Sequence, residues 1–236
     1  MLSFSNFLPE YLSRKRAGPH LSLIAMPDES AESGTLIENA LGGDPQALAD
    51  VFAHYRPRLK RMIRLRLDRR LSGRVDASDV VQEAYLDLAQ RLPEFATHRD
   101  YPFFLWLRLV TGQRLAEVHR RHLGTAMRNA DLEVSLYRGA LPQAITMFLA
   151  SQLLGRFTSV SEKVEKAEVQ VKLQEVLNSM DATDREVLAL RHFEELSNDE
   201  TAQVLEISAA AASKRYIRAL RRMKDALASF PGIFGS

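Results

Sequence analysis

Six basic side chains lie close together in one predicted helix near the C-terminus: Lys214, Arg215, Arg218, Arg221, Arg222 and Lys224. Basic groups at this density can neutralise DNA phosphates, and arginine can also hydrogen-bond to base edges. Ser208 opens this helix at Ala209–Leu227, and a short turn separates it from a smaller predicted helix at Ser197–Leu205. A short helix, a turn and a basic helix form a helix-turn-helix, whose second helix enters the major groove. The sequence therefore predicts DNA as a partner.

Charge is segregated along the chain. The segment from Arg56 to Arg74 holds nine basic residues and one acidic residue, and Lys214 to Lys224 holds six basic residues and no acidic one. The rest of the chain has 17 basic and 29 acidic residues, so the net charge of +2 conceals a strongly acidic remainder. This pattern indicates basic patches that meet a polyanion and acidic faces that meet protein or repel DNA. Ordinary solvated helix faces are the alternative interpretation.

Another predicted helix, which runs from Asp76 or Ser78 to Leu92, carries a polar cluster rich in carboxylates. Its apolar stripe consists of Val81, Ala84, Tyr85, Leu88 and Leu92. A different face carries three side chains at i, i+3 and i+4, namely Asp79, Gln82 and Glu83. Clustered acceptors that would repel DNA favour a protein contact, although a solvated helix start would show the same pattern.

Aromatic residues run into arginines between Tyr101 and Arg121. This combination is typical of single-stranded DNA binding, because bases stack on rings while cations hold the backbone. Helical spacing nevertheless places Trp106 on the apolar side, so we expect it in the core. Three residues of the predicted loop 93–101 are freer candidates for holding a flipped base, namely Phe95, His98 and Tyr101.

Several chemistries lack support in the sequence. The absence of cysteine excludes disulfides and thiolate zinc sites and favours a cytoplasmic protein. His119 and His122 could hold a metal only against the repulsion of neighbouring arginines, so we expect solvated or phosphate-facing histidines. We find no paired nucleophile and base and no glycine-rich phosphate loop, and we expect neither an enzyme nor a bound cofactor. No apolar run approaches the roughly 18 residues of a membrane span.

Helical periodicity dominates, which predicts an all-α fold of two small helical domains joined by a linker. We place an N-terminal helical bundle at 36–123, the linker at 124–162 and the helix-turn-helix domain at 163–230. Residues 1–35 are predicted to be a disordered tail, or a misassigned start upstream of Met26.

Local signals predict where individual helices begin and end. Asp44 and Pro45 begin a helix that Pro57 interrupts or kinks and that continues as a basic helix to Leu71. Pro93 is expected to stop the acidic helix, and the next is expected at Phe103–His122. Capping boxes are predicted for Ser197 with Glu200 and for Thr183 with Glu186.

These segments together resemble a known family, the extracytoplasmic-function group of bacterial sigma-70 factors. The segment from Asp79 to Tyr85 is similar to the polymerase-binding helix of these proteins, and Phe103 to Arg121 is similar to their promoter-melting segment. Asp184 to Leu188, followed by the helix-turn-helix, looks like the domain that reads the minus-thirty-five element. The resemblance covers nearly all of Asp44 to Leu227.

The resemblance implies specific contacts with core RNA polymerase, double-stranded promoter DNA and the melted single strand. Asp79, Gln82 and Glu83 would bind the polymerase clamp. The minus-ten element would meet Phe95, His98, Tyr101, Gln113, Arg114, Glu117, Arg120 and Arg121. The minus-thirty-five element would meet Ser213, Lys214, Arg215, Arg218, Arg221 and Arg222. The group also implies an inhibitory anti-sigma partner, which no residue here identifies.

Two positions depart from the family pattern. Glu206 replaces the usual glycine of the helix-turn-helix turn. Glu206 must therefore adopt a left-handed conformation, at a cost of about 1 kcal/mol, or the turn must use another geometry. The recognition helix also begins with four alanines, Ala209 to Ala212, which offer thymine-methyl contacts without hydrogen bonds. Base specificity is therefore expected to depend on few side chains.

Two other functions remain open from sequence. One is a DNA-binding regulator whose N-terminal domain senses a signal and never contacts polymerase. The other is a helical RNA-binding or scaffolding protein that uses the basic stretch from Arg56 to Arg74.

Overall fold

A computed structural model of the chain describes residues 31–71, 73–97, 99, 101–123 and 163–227. All regular elements in these ranges are helical, which confirms the predicted fold class. The first group contains α1 (Ala31–Leu41), α2 (Pro45–Arg66), a 3₁₀ helix (Arg69–Leu71), α3 (Ala77–Ala96) and α4 (Phe103–Leu123). The second contains α5 (Lys163–Ser179), α6 (Ala182–His192), α7 (Asn198–Leu205) and α8 (Ala209–Leu227). The predicted linker and residues 1–30 lie outside the described residues. Residues 31–35, predicted as the end of a disordered tail, belong to α1 instead.

Helix α2 begins as predicted but ends early. The Asp44 carboxylate accepts hydrogen bonds from the backbone amides of Gln46 and Ala47 at 2.8 and 3.3 Å, respectively. The helix runs through Pro57, because the flanking apolar side chains are buried and their packing offsets the missing backbone hydrogen bond. It ends at Arg66, so the prediction that it reaches Leu71 was wrong.

The prediction that Pro93 stops α3 was also wrong, since the helix continues to Ala96. The reason is tertiary: Phe95, in the extra turn, is only 4% exposed. Its ring lies 5.0 Å from that of Phe103 and 5.2 Å from that of Trp106. Trp106 is itself buried, as the apolar stripe predicted, and burial of a large ring contributes about 2–3 kcal/mol.

The second group packs around its own core. Leu173 and Leu177 of α5 meet Leu188 of α6 and Ala219 and Met223 of α8. The helix-turn-helix is confirmed here as α7 and α8, with both hydrogen bonds of the Ser197 and Glu200 capping box present.

The capping box predicted for Thr183 and Glu186 was wrong. Asp181 is the N-cap of α6, and its carboxylate accepts a hydrogen bond from the Thr183 amide at 2.9 Å. Glu186 is instead buried, with an ion pair to Arg66 of the first group.

The two groups of helices share apolar packing. Leu190, Leu196 and Val204 of the second group belong to the core cluster of the first. Leu65 of α2 packs in turn into the core of the second group. The described residues therefore form a closed arrangement in which α2 and α4 lie against α6, α7 and the loop between them.

Candidate nucleic-acid and protein interfaces

The predicted acidic face lies at the start of α3. Asp76 caps the helix, and Asp79 and Gln82 are exposed one turn apart. The Glu83 side chain is 43% exposed, and its carboxylate lies 3.7 Å from Arg114 and 3.9 Å from Arg121 of α4. The structure thus brings the three predicted residues together on one accessible face.

An apolar residue that the sequence analysis missed adjoins this face. Leu86 follows Glu83 by three positions, and its 60% exposure is high for a large apolar side chain. An apolar residue beside a polar cluster is typical of a protein contact rather than a DNA contact. The sequence could have revealed this exposure, because Leu86 lies outside the apolar stripe of the helix.

Two of the predicted minus-ten residues on α4, Gln113 and Arg114, contact side chains of α3. The Arg114 Nε donates to Asp87 at 2.7 Å, and its Nη1 lies 2.9 Å from Glu117. Hydrogen bonding to Asp87 raises the pKa of Arg114. Gln113 accepts a hydrogen bond from Arg91 at 2.5 Å. In this conformation these side chains hold α3 against α4, while Arg120 and Arg121 are exposed at the helix end.

The aromatic candidates for base capture are not free rings. Phe95 lies inside α3 rather than in a loop, and it is buried against two other aromatic rings. Tyr101 is 8% exposed. The prediction that these rings are freer candidates for holding a base was therefore wrong, because both are buried in the core cluster of the first group. His98 lies outside the described residues.

The interpretation of His119 as solvated or phosphate-facing was wrong as well. His119 is 1% exposed, and its Nε2 accepts a hydrogen bond from the Asp68 backbone amide at 3.2 Å. Burial lowers the pKa of His119. It therefore anchors the turn after α2, whereas His122 is exposed. The described residues contain no group of three or more side chains able to hold a metal ion.

The helix-turn-helix turn uses the strained geometry anticipated for Glu206. This residue has φ 54° and ψ 41°, which places it in the left-handed region. The Asn198 side chain donates to the Ala209 carbonyl at 2.9 Å and fixes the start of α8. Of the four alanines, Ala212 is fully buried and the preceding three face outward to differing degrees.

The basic side chains of α8 fall into two sets. Four are exposed and contact no carboxylate within the described ranges, namely Lys214, Arg221, Arg222 and Lys224. Arg215 and Arg218 instead share the buried carboxylate of Asp184, with Nη1 of Arg215 at 2.8 Å and Nη2 of Arg218 at 2.6 Å. Ser213 is half-buried beside them.

A buried ion-pair cluster joins the two groups of helices. Arg66 of α2 lies 2.5 Å from both Glu186 and Glu194, and Arg108 of α4 donates to Glu194 at 2.6 Å. All four residues are at most 4% exposed. The charges of Arg108 and Arg66 outweigh the effect of burial and lower the pKa of Glu194 to about 2.

A second set of contacts extends this interface. The Arg58 guanidinium lies over the Phe104 ring at 3.6 Å and donates to Glu200 at 3.4 Å. Nearer the surface, Arg61 lies 2.5 Å from Glu195. Part of the basic stretch predicted to meet a polyanion therefore faces the second group of helices instead.

None of the described helices has the length and apolarity that crossing a bilayer requires.

Comparison with known proteins assigns the chain to a family. The ECF sigma factor family matches residues 30–229. The ECF RNA polymerase sigma factor ShbA of Streptomyces griseus is 29% identical over 203 residues, covering 84% of this chain and 96% of that protein. The ECF RNA polymerase sigma factor SigD of Mycobacterium tuberculosis is 26% identical over 190 residues, covering 80% of this chain and 81% of that protein. A solved structure of CnrH with the cytosolic domain of CnrY aligns with 83% of this chain and 97% of that one, at 21% identity and a TM-score of 0.47. With more than half of its length matched, this chain belongs to the ECF sigma factor family.

Proposed function

We propose that this chain binds core RNA polymerase through the start of α3 and directs it to promoters. The observation that carries the proposal is the exposed face of Asp79, Gln82 and Glu83, with Leu86 beside it. Membership of a family of initiation factors supports a role in transcription rather than in catalysis. The protein would act in the cytoplasm, where polymerase and promoters are found, and an anti-sigma partner would restrain it.

The DNA contacts follow from the same assignment. Helix α8 would enter the major groove of the minus-thirty-five element, with Arg215 and Arg218 towards the bases and Arg221 and Arg222 towards the phosphates. Arg120 and Arg121 at the end of α4 would lie along the minus-ten region. Melting would depend on an unstacked base held near the loop after α3. Because Phe95 and Tyr101 are buried, the end of α3 and the start of α4 would have to rearrange to admit the base.

The closed arrangement is too small to occupy both elements at once. Sites near minus ten and minus thirty-five lie about 85 Å apart on straight DNA, at about 3.4 Å per base pair. A compact body of about 155 residues, the size of the described part of the chain, has a radius of gyration of about 15 Å. The 39 residues 124–162 can span up to about 130 Å when fully extended. The two groups of helices would therefore separate when the protein engages a promoter.

Alanine at Asp79, Gln82 and Glu83 together is expected to abolish co-elution with core polymerase in gel filtration. Loss of one central interface residue can cost about 2 kcal/mol of binding free energy, which weakens binding by about 30-fold. The triple change removes the whole polar face. A matched control on the same helix is Gln90→Ala with Glu94→Ala, since both residues are exposed at its other end. Co-elution of the triple variant, or an absence of co-elution by the unaltered protein, would contradict the proposal and favour a regulator that does not bind polymerase.

Arg215→Ala is expected to lower promoter-dependent transcription by about tenfold while polymerase binding stays intact, because one good base contact contributes about 1–3 kcal/mol. Run-off transcription with core polymerase measures the first quantity and co-elution the second. Arg222→Ala is the matched control, because the loss of a phosphate contact should weaken binding to all sequences alike. Loss of co-elution by Arg215→Ala would show that α8 has been assigned the wrong role.

A further inference from the structure

The Asp184 carboxylate of α6 accepts hydrogen bonds from two arginines of α8, the recognition helix. It lies in the first turn of α6 and is 1% exposed. Its Oδ2 accepts from Arg218 Nε at 2.7 Å, and its Oδ1 accepts from Arg218 Nη2 at 2.6 Å. Oδ1 also accepts from Arg215 Nη1 at 2.8 Å. The bond to Arg218 is a two-point fork that fixes the plane of the guanidinium.

Both arginines nevertheless reach the surface. The Arg218 side chain is 55% exposed and that of Arg215 is 31% exposed, although each has a buried partner. Nη1 of Arg218 takes no part in the bonds to Asp184, so it can point outward to another acceptor. The Asp181 carboxylate accepts a second hydrogen bond from Arg215 Nη1 at 3.1 Å. These arginines are therefore oriented before any DNA arrives.

The electrostatic consequence differs from that of a free arginine. Although burial alone would raise it, hydrogen bonds from Arg218 and Arg215 lower the pKa of Asp184, so the carboxylate stays charged at neutral pH. One negative charge beside two positive ones reduces the field that this patch presents to phosphates. Sequence-independent DNA binding arises from that field, whereas base recognition depends on the direction of the donors.

We propose that Asp184 is a specificity-determining positioning residue for the minus-thirty-five contact. It presents Arg215 and Arg218 to base edges in a fixed orientation and restrains them from binding phosphates of any sequence. The four basic residues of α8 without a carboxylate partner in the described ranges would supply the phosphate contacts. This inference rests on the proposed function, because it assumes that α8 reads promoter DNA.

Asp184→Asn in the full chain with core polymerase tests the inference. The unaltered protein with polymerase first selects duplexes from a random library. The affinity of each protein is then measured for a selected duplex and for the same duplex with its upstream element scrambled. The variant is expected to lose about tenfold in the ratio of the two affinities. Binding to the scrambled duplex should stay equal or become tighter, with a salt dependence of log K steeper by about one unit.

Asp225→Asn is the matched control, because it removes the same charge from an exposed position of α8. It should leave the affinity ratio unchanged. Equal weakening of both duplexes by Asp184→Asn would overturn the inference and leave only a structural tie between α6 and α8. An unchanged ratio, or the same loss in Asp225→Asn, would also overturn it. If the unaltered protein selects no sequence, the proposed function fails at that earlier step and the inference fails with it.

A measurement on the unaltered protein covers the case in which Asp184→Asn does not fold. Arginine side-chain NMR should show the Arg218 Nε–H protected from solvent exchange relative to that of Arg222, which is exposed. Equal exchange rates would show that the carboxylate does not hold Arg218 in solution and would overturn the inference.

Discussion

Glu194→Gln will lower the free energy of unfolding by about 3–5 kcal/mol, the usual result of removing one partner from a buried charge pair. The Glu194 carboxylate is 1% exposed and accepts from both Arg66 and Arg108. Without its charge, Arg108 keeps no carboxylate among its described hydrogen bonds, and Arg66 loses one of the two buried carboxylates that pair with it. Urea unfolding followed by circular dichroism measures the change.

The next residue supplies a matched control. Glu195 also pairs with an arginine of α2, but its side chain is 52% exposed and that of Arg61 is 33% exposed. An exposed pair contributes about 0–1 kcal/mol, so Glu195→Gln should have a small effect. Equal effects of the two substitutions would show that the buried cluster does not form in solution.

The stability difference between the unaltered protein and Glu194→Gln should also depend on pH. Because the pKa of Glu194 falls from an ordinary 4.5 to about 2 on folding, its contribution is fully present above pH 4.5 and disappears as the pH falls towards 2. The shift corresponds to about 3 kcal/mol. Burial raises the pKa of Glu186, so the contribution of Glu186 to stability changes with pH in the opposite direction. Both proteins retain Glu186, so the difference between them reports on Glu194. A difference that stays constant from pH 7 to pH 2 would contradict the assignment.

Locking the two groups of helices together will reduce promoter-dependent RNA synthesis to background. The chain has no cysteine, so Arg61→Cys with Glu195→Cys introduces a unique pair across the interface. A reducible bismaleimide joining them holds the closed arrangement, which cannot reach two elements about 85 Å apart. Run-off transcription with core polymerase should recover when the crosslinker is cleaved.

Two controls separate locking from damage. Each single-cysteine variant treated with the same reagent should retain transcription, since it cannot be crosslinked within one molecule. The locked protein should still co-elute with polymerase, because Asp79 and Gln82 remain exposed in the closed arrangement. Full transcription by the locked protein would show that initiation does not require separation.

The sequence by itself determined the helical fold, the helix-turn-helix and the acidic face of α3. These features depend on residues close together in the chain: a capping box spans four positions, and a helix face repeats every three or four. Ser197 with Glu200, and Asp79 with Gln82 and Glu83, could therefore be recognised without coordinates. The burial of Trp106 followed from the same periodicity.

Only the tertiary structure decided which charged and aromatic groups are available. Arg66 and Glu194 meet across 128 positions, and no local pattern distinguishes an arginine that will be buried from one that will face water. For the same reason Phe95 looked like a loop residue, although packing against Phe103 and Trp106 carries α3 past Pro93. Asp184 could be read as a helix-start residue, but its contact with Arg218 exists because α8 folds back over α6. Pairing between distant segments depends on how whole helices pack, and that packing sets the burial and the partners of each charge.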